Sequence, residues 1–174
     1  WRWIFFHQSA HNYERMMGLG FAHSMSGALQ TLYGDNKEGL AQGLTRNMAF
    51  FNTEPQLGSV IPGVTLALEE TYAEDPNFDP EAIPSTKNAL MGPIAGIGDS
   101  LLVGTLNPIL LSIGIGMSSG GSPVGAAFFL LVWLAIVVPM QIWTFRKGHE
   151  MGLDAVTLLM DQRLKDRITT GLTM

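Results

Sequence analysis

The segment FFNTEP (Phe50–Pro55) combines side chains that a carbohydrate site needs. Two aromatic rings stand beside an amide, a hydroxyl and a carboxylate, where Asn52 and Pro55 predict the end of a helix. A sugar requires apolar surface for its ring face and directional donors and acceptors for its hydroxyls. From the residues alone, a sugar contact through Asn52 and Thr53 and a plain capping turn are equally good interpretations.

Three carboxylates border apolar segments. Glu69 and Glu70 follow the apolar segment Leu57–Leu68, and Asp99 stands directly before a long uncharged stretch. Acids at membrane depth are candidate functional groups, because an unpaired charge there is costly. At the membrane surface the same residues would be ordinary solvated acids, so both interpretations stay open.

The N-terminal segment offers a polar surface and a candidate metal site. If His7, His11 and Glu14 lie on one helix, their spacing of four and three residues puts them on one face. The zinc-protease motif HExxH fails because Gln8 occupies the glutamate position, and a polar helix face is the favoured interpretation. Neighbouring polar residues are predicted to hold helices together or to line a path: Asn12, Glu14 and Arg15.

The glycine-rich segment GPIAGIGDS (Gly92–Ser100) does not match a nucleotide-binding loop. Asp99 stands where a Walker A loop has lysine, and the third glycine of a dinucleotide motif is missing. We predict a closely packed turn that leads into a helix N-terminus capped by Asp99 and Ser100. Broken helices of this kind form ligand sites in transporters. The candidate path-lining glycines are Gly92, Gly96 and Gly98.

Apolar segments long enough to cross a membrane must position these residues. From Leu101 to Phe145 the chain has no Asp, Glu, Lys, Arg or His. Leu101–Met117 is one arm, Ser118–Pro123 a turn, and Val124–Phe145 a second arm, which spans a hydrocarbon core at about 1.5 Å per residue. Asn107-Pro108 predicts a bend in the shorter first arm. The sequence therefore predicts an apolar helical hairpin over residues 101–145.

The other segments complete an all-α membrane protein. We expect a long N-terminal helix from Phe5 to about Leu32, a second helix over Glu38–Phe51, and a short re-entrant or interior helix over Leu57–Leu68. Ser85 is expected to cap a short helix that ends at Met91. An amphipathic helix from about Glu150 to Ile168 follows the hairpin, with apolar residues at helical spacing.

Composition and charge narrow the class of protein. Hydrophobic residues make up 47% of the chain and charged residues 14%, well below the roughly 25% of a typical soluble domain. A net charge of −5 without a basic stripe argues against nucleic acid as the normal ligand. The absence of cysteine excludes disulfides and thiolate metal sites. Arg146 and Lys147, directly behind the second arm, place that end of the hairpin in the cytoplasm.

Four sequence blocks together resemble subunit IID of the mannose/fructose/sorbose-type bacterial sugar phosphotransferase system (PTS). They are NYERM at Asn12–Met16, FFNTEP at Phe50–Pro55, GVTLALEE at Gly63–Glu70 and LMGPIAGIGDS at Leu90–Ser100. The similarity covers nearly all of residues 1–174, which we interpret as a single IID membrane domain. It implies a multi-pass, non-catalytic subunit of the bacterial cytoplasmic membrane.

The resemblance also implies partners and a division of labour. A IIC membrane subunit would share the path of a hexose, within a higher oligomer surrounded by membrane lipid. The phosphoryl group would pass from IIA to a phosphohistidine on IIB and then to the sugar, so this subunit would need no metal or cofactor. None of its own histidines would carry the phosphoryl group: His7, His11, His23 and His149.

The resemblance implies which candidate residues bind the substrate, and the sequence departs from the family pattern at two points. The expected substrate-binding residues are Asn52, Thr53, Glu69, Glu70 and Asp99. Members of this family commonly have histidine where Asn47 stands, so the role of that histidine does not carry over. They also continue beyond a tail like this one into a further apolar helix. We therefore expect the chain to be incomplete at both ends.

Two other classes of protein stay open from the residues. A pore-forming helical protein would bury the hairpin over residues 101–145 within a jacket of amphipathic helices until it met a membrane. A metal-dependent membrane hydrolase would use His7, His11 and Glu14, but the sequence offers it no second set of ligands. The packing around the hairpin distinguishes the first of these from a transporter subunit.

Overall fold

Helices joined by short loops make up the computed structural model, which describes residues 1–75 and 77–160. The all-α class is confirmed, and the described residues include no named strand. A short 3-10 turn (Leu57–Ser59) precedes α4, and a π-helical segment (Asp99–Leu106) joins α5 to α6. The helices are α1 (Arg2–Phe6), α2 (Gly18–Tyr33), α3 (Lys37–Asn47), α4 (Val60–Glu74), α5 (Ala82–Gly98), α6 (Asn107–Met117) and α7 (Val124–Met160).

The prediction of one continuous N-terminal helix is wrong, because an irregular loop over residues 7–17 separates α1 from α2. The side-chain oxygen of Asn12 accepts hydrogen bonds from the backbone N–H groups of Glu14 (3.1 Å) and Arg15 (2.9 Å). Such a turn competes with helical hydrogen bonds. Ala10 adopts a φ of 57°, a left-handed conformation that ends a helix for most residues.

The next two helices differ from the prediction at their ends. Helix α3 ends at Asn47, so the helix expected over Glu38–Phe51 is four residues too long. Helix α4 is an interior helix, as predicted, but it continues past Glu69 and Glu70 to Glu74. The fully buried Glu69 finds its partner Arg46 on α3, which offsets the cost of burying its charge, and the half-exposed Glu70 pairs with His149 of α7.

The hairpin has the predicted turn but a longer first arm. Helix α6 ends at Met117 and α7 begins at Val124, whereas α5, the π-helical segment and α6 form one continuous helix from Ala82 to Met117. The glycine-rich segment Gly92–Ser100 is therefore helical, and it is neither a turn nor a capped N-terminus. Apolar surroundings favour this outcome, because backbone groups there must satisfy one another within the helix.

The helix begins at Ala82, so the expected cap at Ser85 is also wrong. Pro108 is the second residue of α6 and lies inside the continuous helix, where it removes one backbone hydrogen bond. The predicted amphipathic helix begins inside α7, which kinks at Gly152 (φ 43°) and is helical to Met160. The rest of that prediction, including Leu164 and Ile168, lies outside the described residues.

Two helices of the hairpin are long and apolar enough to cross a membrane. They are Ala82–Met117 and Val124–Gly152, and only 17% of the most apolar stretch of each is buried. The core helix of a soluble protein would be mostly buried. The exposed side chains include Ile115 (64%) and Leu131 (66%), so the other described residues do not enclose the hairpin in the jacket of helices that the pore-forming alternative requires.

Helix α4 packs closely along α7 and thereby joins the N-terminal helices to the hairpin. A Cβ atom at Gly63 would overlap the carbonyl oxygen of Phe145, and one at Gly148 would overlap the carbonyl oxygen of Val60. Small residues allow two helix backbones to approach in this way, which is a common contact between membrane helices. The α4–α7 contact is therefore a contact between backbones that side-chain rotation cannot relieve.

We expect Gly63→Ala to lower the free energy of unfolding by about 1–3 kcal/mol, because the added methyl group meets the Phe145 backbone. The matched control is Gly116→Ala in α6, where a Cβ has open space. That change should be neutral or should stabilise the helix by about 0.5–1 kcal/mol. Thermal unfolding of the full-length protein in detergent compares the two. A Gly63→Ala variant that melts like wild type would contradict the close contact.

Candidate functional site

Three of the four sequence blocks meet at the loop after α3. The Phe51 ring is fully buried, with centroid distances of 4.7 Å to Phe21 and 6.1 Å to Trp3. The indole N–H of Trp3 donates to the carbonyl of Pro55 at 2.9 Å. These contacts hold the loop with Phe51 inward, whereas the Asn52 side chain is exposed.

The NYERM segment fixes the same loop through backbone hydrogen bonds. Phe51 donates its N–H to the carbonyl of Arg15 (3.2 Å), and Met17 donates to the carbonyl of Phe51 (2.8 Å). The Asn12 turn shapes this segment. The side chains of Glu14 and Arg15 form an exposed ion pair at 3.4 Å. An exposed pair of this kind contributes little to stability, so the backbone contacts position the segment.

The polar side chains that follow Phe51 lie against α5. Thr53 is buried, and its hydroxyl donates to the carbonyl of Met91 at 3.1 Å. Asn52 in the loop and Asp99 at the end of α5 are both exposed. Glu54 packs against Gly98, so the loop and the start of the π-helical segment meet near the middle of the first arm, and we call the two together the polar surface.

Glu54 is the buried member of this surface. Its carboxylate accepts hydrogen bonds from the N–H groups of Gln56 (2.9 Å) and Leu57 (2.7 Å), which open the 3-10 turn before α4. A Cβ at Gly98 would lie 2.5 Å from a Glu54 oxygen, so glycine is needed there. Burial raises the pKa of Glu54, the two N–H donors lower it in part, and the charge of Asp99 raises it further.

A second polar cluster, which we call the Glu69 cluster, lies between α2, α3 and α4. The fully buried Glu69 carboxylate accepts hydrogen bonds from Tyr33 (2.8 Å), Asn47 (2.7 Å) and Arg46, whose two bonds measure 3.1 and 2.6 Å. A bidentate guanidinium is a strong partner for a carboxylate. With four donors in place, Glu69 holds three helices together and has little remaining capacity for a ligand.

The charges in the Glu69 cluster shift one another's proton affinities. Burial, followed by the hydrogen bond and charge of Glu69, raises the pKa of Tyr33. Burial alone would lower the pKa of Arg46, but its contacts with Glu69 outweigh this effect and raise it. Tyr33 therefore stays a neutral donor and Arg46 stays charged at any physiological pH.

Lys87 lies between the Glu69 cluster and the FFNTEP loop. Its side chain is 1% exposed, and its ammonium nitrogen lies 3.4 Å from the carbonyl oxygen of Asn47. The nitrogen also lies 4.7 Å from the centroid of the Phe21 ring and 5.6 Å from that of Phe51. Ring faces attract cations, and the charge of Glu69 attracts this one as well. Lys87 thereby links α5 to the core beneath the FFNTEP loop.

The other acid of the GVTLALEE block has a separate partner. A carboxylate oxygen of Glu70 lies 2.8 Å from Nε2 of His149, and this contact joins α4 to α7. Both side chains are about two-fifths exposed, so water screens the interaction. Glu69 and Glu70 thus lie in different contacts, and neither belongs to the polar surface formed by Asn52 and Asp99.

The N-terminal residues do not form the predicted helix face. Because α1 ends at Phe6, His7, His11 and Glu14 lie in and around an irregular loop. Burial lowers the pKa of His7. Within residues 1–75 and 77–160, no group of three or more His, Cys, Asp or Glu side chains is placed to hold a metal ion.

Sequence reasoning missed Glu54, Arg46, Tyr33 and Lys87. For two of them the sequence held a signal: Glu54 lies inside a block chosen for its polar residues, and Lys87 is a lone cation in an apolar helix. Of the three path-lining glycines, Gly98 packs against Glu54, whereas a Cβ at Gly92 or Gly96 would meet open space. Of these three, Gly98 alone has a packing reason to be glycine among the described residues.

Comparisons with known proteins point to one family. A family model described as PTS system mannose/fructose/sorbose family IID component matches residues 1–174. The mannose-specific EIID component of Escherichia coli K12 is 38% identical over 149 residues, which cover 86% of this chain and 53% of that protein. The sorbose-specific EIID component of Lacticaseibacillus casei is 37% identical over 169 residues, 97% of this chain and 59% of that protein.

A solved structure has the same fold. In the cryo-EM structure of the mannose transporter ManYZ with microcin E492, one chain matches with a TM-score of 0.84 and 34% identity. The match covers 97% of this chain and 62% of the other. The chain therefore spans between half and two thirds of the length of these relatives.

Substitutions at different residues of the Glu69 cluster should lower the free energy of unfolding by different amounts. Glu69→Gln leaves Arg46 and Lys87 buried without a counter-charge, and we expect it to cost about 3–5 kcal/mol of unfolding free energy. Arg46→Met should cost less, because Lys87 remains to offset the charge of Glu69. The control, Glu38→Gln, changes an exposed carboxylate and should stay within about 0.5 kcal/mol. An Arg46→Met loss equal to or above that of Glu69→Gln in denaturant titrations would contradict this order.

Glu54 should make stability depend on pH. Its folded pKa lies above the ordinary value of 4.5, so over the window above pH 4.5 the folded chain keeps a proton that the unfolded chain loses. The contribution of this group to the unfolding free energy therefore falls as pH rises through that window. Glu54→Gln should remove this slope in melting temperatures measured from about pH 4 to about pH 7. Glu14→Gln, at an exposed position, should keep it, and a Glu54→Gln profile parallel to wild type would contradict the assignment.

Proposed function

This chain belongs to the IID components of the mannose/fructose/sorbose phosphotransferase systems, and we propose that it helps a IIC partner form the path of a hexose across the bacterial cytoplasmic membrane. The observation that carries this proposal is the packing of the FFNTEP loop on the glycine-rich end of α5, beside the first arm of an exposed apolar hairpin. Residues 1–174 act in it as a single IID membrane domain.

The polar surface is our candidate for the sugar contact. Asn52 supplies an amide and Asp99 a carboxylate, and both side chains are exposed. The ring of Phe50, which is 45% exposed, gives apolar area beside them for a sugar face. This combination of acceptors, donors and an aromatic ring suits a hydroxylated ligand.

The other three predicted substrate-binding residues act through contacts within the chain. Thr53 holds the loop against α5, Glu69 holds α3 against α4, and Glu70 joins α4 to α7. In this proposal they keep Asn52 and Asp99 in place, and they do not contact the sugar themselves.

The phosphoryl transfer takes place on other subunits in this proposal. IIA supplies a phosphohistidine on IIB, and IIB phosphorylates the hexose on the cytoplasmic side, where Arg146 and Lys147 lie. Two observations support a non-catalytic role. His149 is held by Glu70, and the His23 ring packs edge-on against Phe6 at 5.0 Å.

The exposed faces of the hairpin support a partner within the membrane. Large apolar side chains cover both arms, and neither arm is enclosed by the rest of the described chain. The structural relative is a chain of the mannose transporter ManYZ. We infer that a IIC subunit covers one face, that lipid covers the other, and that such units assemble into a higher oligomer.

Removing the two exposed polar groups should impair transport. In the full-length subunit, Asn52→Ala and Asp99→Asn should each lower sugar phosphorylation about tenfold, because a lost hydrogen bond to a ligand costs about 1–2 kcal/mol. The assay is phosphoenolpyruvate-dependent phosphorylation by membranes that contain IIC, IIB and IIA. Asp35→Asn, in the exposed turn after α2, is the matched control and should behave like wild type.

The outcomes separate the role of the subunit from the role of the residues. If both variants phosphorylate sugar normally at normal expression, the site assignment is wrong. If membranes that lack the subunit altogether keep their activity, the chain is not part of the sugar path. Leakage of liposomes treated with the chain would then test the pore-forming alternative.

A further inference from the structure

A cleft of about 420 Å³ lies where α1 and α2 meet the 3-10 turn, α4 and α7. Residues 141–146 of α7 contribute to its lining, whereas Asn52 and Asp99 of the polar surface do not. Its walls include aromatic side chains, among them Trp3 and Phe145, together with Met25 and Pro62. The cleft therefore combines apolar walls with a position at the end of a candidate membrane span.

Two arginines give the cleft its charge. Arg2 and Arg146 both line it, and no Asp or Glu is among the described residues that do so. Arg2 is held in place, because it donates to the hydroxyl of Ser26 at 2.7 Å. The Arg146 side chain is exposed and forms no hydrogen bond or ion pair with any residue in the described part of the chain. The cleft thus offers two guanidinium groups to an anion.

Gln141 adds an acceptor without a donor. Its side chain lines the cleft and is 3% exposed, yet its carbonyl oxygen Oε1 has no hydrogen-bond partner among the described residues. Leaving such an oxygen unsatisfied costs about 1–3 kcal/mol. The backbone beside it is fixed, because Ser59 donates its hydroxyl to the carbonyl of Gln141 at 2.9 Å. A hydroxyl group of a ligand in the cleft would satisfy Oε1.

We propose that this cleft binds the phosphoglycerol headgroup of an anionic phospholipid. The guanidinium groups of Arg2 and Arg146 take the phosphate, which matches their planar donors. Oε1 of Gln141 accepts from a glycerol hydroxyl, and the aromatic walls contact the first carbons of the acyl chains. Aromatic and cationic side chains together are typical of the level where headgroups lie.

A soluble sugar phosphate shares the phosphate and hydroxyl chemistry, but it has no acyl chains for the apolar walls. The lipid site rests on the proposed insertion of the hairpin into a membrane and not on the sugar path. Its test therefore measures binding instead of transport. A failed lipid test leaves the roles of Asn52 and Asp99 intact, and a failed transport test leaves the lipid site intact.

The test is native mass spectrometry of the full-length protein in detergent, titrated with phosphatidylglycerol or phosphatidylcholine of the same acyl chains. Wild type should retain phosphatidylglycerol in preference. Arg146→Gln should weaken its binding about fivefold, and the double variant with Arg2→Gln about 25-fold. The matched control is Lys147→Gln, since this neighbouring cation pairs with Glu150 and does not line the cleft. It should bind like wild type.

A second variant tests the acceptor. Gln141→Leu should remove the preference for phosphatidylglycerol over phosphatidylmethanol, which carries the phosphate but no headgroup hydroxyl. Melting temperatures establish that each variant is folded. Equal losses in Lys147→Gln and Arg146→Gln, or equal binding of phosphatidylglycerol and phosphatidylcholine, would overturn the proposal. Displacement of the lipid by glucose 6-phosphate would also overturn it, in favour of a soluble ligand.

Discussion

A carboxylate shut off from water needs donors on every side, and Glu69 is in this situation. Tyr33 of α2 and both Arg46 and Asn47 of α3 supply those donors, and the buried cation Lys87 adds its charge from α5. Without them the ionised acid would have to be desolvated at a cost of several kcal/mol. The position of α3 follows from this requirement. The FFNTEP loop begins at Phe50, three residues after α3 ends at Asn47. The surface that carries Asn52 is therefore set by a buried charge that is paired within the chain.

The second constraint is the shortage of water along the hairpin. Backbone groups in an apolar setting must bond within their own helix, so the glycines and prolines of Gly92–Ser100 do not open a turn. The same glycines serve packing instead. Gly98 admits the buried Glu54 carboxylate, while Gly63 and Gly148 let α4 and α7 touch through their backbones. Small side chains thus connect a polar body to an apolar hairpin without any covalent or metal link among the described residues.

Whether a structural feature could be predicted from the sequence depended on how far apart its interacting residues lie in the chain. The hairpin turn between Met117 and Val124 was predictable, because an uncharged stretch interrupted by serine and glycine is a local signal. The end of α4 was not, since Glu69 and Glu70 are paired with residues 23 and 79 positions away. At the site, the block containing Asn52 and Thr53 was correctly seen as a polar loop. Its buried member Glu54 owes its role to Gly98, a contact that appears only after folding.

The π-helical segment Asp99–Leu106 has a geometric consequence for the whole hairpin. In an α-helix each residue turns the chain by about 100° and advances it by about 1.5 Å. A segment with wider turns breaks that fixed relation, as if one residue had been inserted without lengthening the helix in proportion. The face that α5 shows to the FFNTEP loop and the face that α6 shows to α7 are thereby set independently. The rotation of the helix about its axis is then no longer tied to its advance along that axis. A single-residue deletion in this segment would therefore rotate one half of the helix against the other.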